Sequence, residues 1–167
     1  MKKKLVAAFV ALAMPIAMAN PVAAEDKQVA ELQKEANEQK TNEAKAKEMT
    51  EALEVIESIP DEVLLQGDEA TREWLQNNPK AQEATQEASA LGCTASILSL
   101  IGGNMIVAGK LLKIKRLIQD LGGVVSAVRH MAGAGFNYEK LKHGGGAIFT
   151  LASELFGIEG VRTQCFN

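Results

Sequence analysis

The chain has 167 residues, 18 Lys and Arg against 21 Asp and Glu, two cysteines, two histidines and seven aromatic residues. The length allows one ordinary domain, or a small domain with an accessory segment. His130 and His143 are not at metal-ligand spacing from each other or from the cysteines, and no zinc pattern forms. The expectation is a protein without metal or cofactor.

The N-terminus has the layout of an export signal. Lys2, Lys3 and Lys4 provide a positive end, Leu5 to Ile16 a short apolar stretch broken at Pro15, and Val22, Ala23 and Ala24 the small residues a signal peptidase accepts. The apolar stretch falls short of the roughly 20 residues of a membrane span. Residues 1–24 are expected to be a signal peptide cleaved after Ala24, with Ala19 the second choice and an uncleaved anchor the alternative.

Beyond the signal the chain divides sharply. Residues 25–90 hold 17 Asp and Glu against 7 Lys and Arg, whereas residues 91–167 hold 4 against 8. Of the 14 glycines, all but Gly67 lie at Gly92 or beyond, as do Cys93 and Cys165. The expected organisation is an acidic helical proregion or arm over 25–90 and a glycine-rich cationic helical domain over 91–167. The expected fold class is all-α: a small disulfide-closed helical bundle preceded by an acidic helical or partly disordered segment.

From Glu25 to Ser58 good helix formers dominate, but no large apolar residue occurs between Gln33 and Glu48. Such a stretch is a solvated helix, or disordered when alone. Pro60 ends it. Asp61 and Asp68 are expected to cap a short turn through Leu64 and a helix carrying Trp74 and Leu75. Asn77, Asn78 and Pro79 are expected to stop that helix, leaving Lys80 to Ala90 as a linker with a protease site near Ala88, Ser89 and Ala90.

Residues 88–109 carry no charge. They predict a buried helix from about Thr94 to Ile101, a break at Gly102 and Gly103, and the start of a second helix. In that helix Val107, Leu111, Ile114, Leu117, Ile118 and Leu121 share one arc, with Lys113, Lys115, Arg116 and Asp120 outside it. Gly122 and Gly123 end it. Further helices are predicted through Val124 to Met131, from an Asn137 cap through Leu141, and from Ala147 to Phe156. Gly144, Gly145 and Gly146 act as a connector, and His143 is expected in the loop beside them. Exported chains meet non-reducing surroundings, so Cys93 and Cys165 are expected to pair.

Catalysis finds no support. Ser96, Ser99, Ser126 and Ser153 lie in helical patterns rather than at a nucleophile elbow, and no strand or Lys-Ser/Thr pair accompanies the glycine run. Nucleic-acid binding is not expected either, because basic and aromatic residues do not interleave. A cationic helical unit fits instead an anionic bacterial membrane or envelope component, reached through Lys110, Lys113, Lys115, Arg116, Lys140 and Lys142. The other expected partners are signal peptidase and a second protease that removes the acidic segment, outside the cell. The order of signal 1–24, Cys93, the segment GKLLKIKRLIQDLGG from Gly109 to Gly123, the run Gly144 to Gly146, and Cys165 followed by Phe166 resembles exported bacteriocin precursors of Gram-positive bacteria. That resemblance implies a secreted antimicrobial released from a proregion. The competing expectation is a non-toxic secreted or envelope-associated helical module that binds another protein.

Overall fold

The computed structural model describes residues 21–87, 92–102 and 108–166; residues 1–20, which hold most of the expected signal, lie outside it. Every described element is a helix: α1 (Pro21–Ser58), α2 (Asp61–Gln66), α3 (Asp68–Asn77), α4 (Pro79–Glu87), α5 (Cys93–Gly102), α6 (Ala108–Asp120), α7 (Val124–Gly133), α8 (Tyr138–Gly144), α9 (Gly146–Phe156) and α10 (Glu159–Cys165). The all-α expectation holds.

Packing divides the chain after Ala36, and residues from Asn37 onward form one compact unit. Before that point the described residues belong to α1, and from Val29 to Thr41 all side chains are exposed, Val29 and Leu32 included. The same helix then changes character. Met49, Ala52, Leu53, Val55 and Ile56 recur at helical spacing and are fully buried.

The charge divide at residue 90 is therefore not a boundary in packing. Of the 28 buried apolar residues among the described ones, nine come from the acidic segment: Met49, Ala52, Leu53, Val55, Ile56, Ile59, Leu64, Leu75 and Ala81. They belong to one cluster with Ile97, Ile114, Ile118, Met131, Leu151 and Leu155 of the cationic segment. Net charge describes the solvated faces, whereas core membership follows the apolar stripe, and the two need not change at the same residue.

Several local expectations are corrected. Pro79 begins a helix instead of ending one, since proline suits a first helical position. Asn78 Oδ1 accepts from Ala81 N at 3.1 Å, and the expected linker is helical through Glu87. Asp61 and Asp68 are the first helical residues rather than caps; Pro60 and Gly67 hold the cap positions without side-chain caps. His143 sits in the last turn of α8 and not in a loop. Helix α10 was not anticipated. Asn137 does cap α8, its side chain accepting from Lys140 N at 3.0 Å. Gly122 and Gly123 close α6 at φ of 85° and 97°, and Gly145 and Gly146, both at 62°, turn α8 directly into α9.

Candidate functional site

Cys93 and Cys165 form the expected disulfide, with Cα atoms 4.8 Å apart. It joins the start of α5 to the end of α10 and so closes the cationic segment on itself. Phe166, next in the chain, meets Phe156 edge-on at 5.7 Å, and Phe156 stacks on Tyr138 at 4.0 Å. Tyr138 Oη and Ser153 Oγ are 3.2 Å apart. This aromatic group fixes α8 against α9, and Lys140 and Lys142 project from α8 as exposed cations.

The six cations expected at a membrane surface separate into three groups. Lys110 and Lys113 both approach Glu154 of α9, at 3.9 and 2.5 Å. Lys115 is buried, which corrects its assignment to the outer face. Its Nζ donates to the Ile59 carbonyl and pairs with Asp61 Oδ1 at 2.6 Å. Its head thus meets the acidic segment instead of open solvent. Arg116, Lys140 and Lys142 are exposed without an ion pair among the described residues. Of the expected cleavage positions, Ala24 lies within α1, while Ala88, Ser89 and Ala90 lie outside the described residues.

Two further carboxylates of the acidic segment reach the cationic one. Glu48 Oε2 accepts from Cys93 N at 2.5 Å, and its backbone carbonyl accepts from the Thr94 hydroxyl at 3.0 Å. Asp68 Oδ1 accepts from Ala108 N at 2.7 Å. Each carboxylate supplies a partner to an N–H that a helix start leaves unsatisfied, at the positive end of the helix dipole. Gly92 permits the first contact, because a Cβ there would stand 2.6 Å from Glu48 Oε2. Local sequence patterns did not reveal these contacts of Glu48, Asp61, Asp68 and Gly92, because each residue meets a group 40 or more positions away in the chain.

Burial lowers the pKa of Lys45, with neighbouring Glu48 acting in the opposite sense. A hollow of about 310 Å³ between α3, α4 and α5 is lined by Leu75, Ala81 and Leu98, with Arg72 as the one charged side chain among the described residues that line it. No cluster of three potential metal ligands occurs among the described residues, and no described helix is long and apolar enough to cross a membrane. No family model matches this chain, and no curated protein or solved structure is significantly similar to it.

Proposed function

We propose that the protein is a secreted, bacteriocin-like precursor of a cationic, membrane-active antimicrobial, held silent by its acidic segment. The observation that carries this reading is the cover that residues 37–87 place on the cationic segment: nine apolar side chains in the shared core and three carboxylates on its helix starts and on Lys115. Such a cover keeps the apolar faces of α5 and α6 from lipid. Arg116, Lys140 and Lys142 remain free to draw the particle to anionic headgroups, at about 1 kcal/mol per cation near such a surface.

The test is intact-mass analysis of the protein from the producer's medium, with and without reductant, together with growth inhibition by the same fraction. A species beginning near residue 91, carrying one disulfide and inhibiting related bacteria, supports the reading. An inert species running from residue 25 to residue 167 sinks it. That outcome supports a non-toxic secreted or envelope-associated binding module.

A further inference from the structure

We infer that a chain cut between Glu87 and Gly92 stays one folded particle, with residues 37–87 docked on residues 92–166 as a non-covalent acidic partner. The disulfide provides no link across such a cut, since Cys93 and Cys165 both lie on its C-terminal side. What holds the pieces is the shared core together with the three charged contacts. Leu53, Ile56 and Ile59 are fully buried, as are Ile97, Ile114 and Ile118 from the other piece, and all six belong to one cluster. Separation would expose this apolar surface to water from both sides, which the hydrophobic effect opposes in proportion to the area exposed. It would also leave Lys115 without Asp61 and two helix starts without their acceptors.

The chemistry of the partner follows from these contacts. The docking surface presents three positive positions, the N-termini of α5 and α6 and the Lys115 ammonium, together with the buried side chains of Ile97, Ile114 and Ile118. A helical segment with an apolar stripe and carboxylates at those three places fits it, and residues 37–87 are that segment. The inference goes beyond the antimicrobial reading, because it concerns how the pieces hold together and not what they act on. Its consequence for that reading is that cutting is not release: a second step must displace the acidic piece, and an anionic surface competes for the same three positive positions.

The experiment replaces Ala88 to Leu91 in the full chain by a site for a sequence-specific protease. After digestion, denaturing electrophoresis verifies two pieces, and native size-exclusion with light scattering and circular dichroism follows them through a dilution series. One species of the uncut mass with unchanged helicity at micromolar concentration is expected. Two separated species, or a loss of helicity on cutting, would overturn the inference. In the cut protein, Glu48→Gln with Asp61→Asn raises the concentration of half-dissociation at least about tenfold, as one lost charge-assisted hydrogen bond suffices to do. Asp68→Asn alone, at an exposed side chain, is the milder variant and shifts it in the same direction. Half-dissociation unchanged in both variants overturns the assignment of the partner's chemistry. Leakage from anionic vesicles, read on the same samples, reports the antimicrobial reading separately from the association.

Discussion

The acidic and cationic segments, opposite in charge and in glycine content, finish in one core but are secured in it differently. The cationic segment is closed covalently, end to end, by Cys93–Cys165. The acidic segment has no covalent tie beyond the chain itself; it is held by an apolar stripe from Met49 to Ile59 and by carboxylates placed on positive groups of the other segment. Within α1 the contrast repeats. Residues 29–41 and 49–56 share one helix, yet the first stretch is exposed throughout and the second supplies five fully buried side chains. Helix propensity is met in both; apolar side chains at core spacing occur only in the second.

The largest effect that probes this contrast is loss of the disulfide. Cys93→Ala with Cys165→Ala opens a closure spanning 72 positions in sequence, which on the chain-entropy model costs about 4 kcal/mol. Urea unfolding read by tryptophan fluorescence measures it. Because Trp74 belongs to the acidic segment and helicity is contributed by both, coincident fluorescence and circular-dichroism transitions are expected if the halves unfold as one; separated transitions would show two cooperative units.

Next is the comparison inside α1. Leu53→Ala removes a fully buried side chain and is expected to cost about 3 kcal/mol. Leu32→Ala, at a side chain 64% exposed, is expected to stay within about 0.5 kcal/mol of the parent. Equal effects at both positions would abolish the distinction between a solvated and a packed end.

A smaller effect tests the contact between the segments at α5. Gly92→Ala would drive a Cβ into the Glu48 carboxylate, and Glu48→Ala deletes the same acceptor. Each is expected to cost about 1 kcal/mol, the value of a helix cap, and the double variant should cost little more than either alone. Full additivity in a double-mutant cycle would mean that the two residues do not act through one contact.

The smallest effect is that of Lys45. Burial lowers its pKa below the usual 10.5, so as pH rises toward that value the folded chain gives up the proton before the unfolded chain does. The unfolded state then binds more protons, and this group's contribution to stability rises with pH through that window. Lys45→Met is expected to flatten the rise when unfolding at neutral pH and near pH 10.5 is compared.

Much of this organisation is legible in local residue patterns. Proline, glycine and asparagine mark most helix limits, the arc of Leu111, Ile114 and Ile118 marks a buried face, and two cysteines allow one pairing. Those readings succeed because caps, turns and amphipathic stripes act over a few residues. Lys115 defeats the same reasoning: its place outside the apolar arc suggested solvent, and only the approach of Ile59 and Asp61 makes it a buried cation. Asp68 likewise resembled a cap for its own helix and instead caps α6, 40 residues on. Helix class and the disulfide were thus determined by sequence alone, through local propensity and the count of thiols. Where the domain begins, which cations remain free and which carboxylates reach across were decided only by the tertiary structure, because each depends on groups distant in the chain meeting in one core.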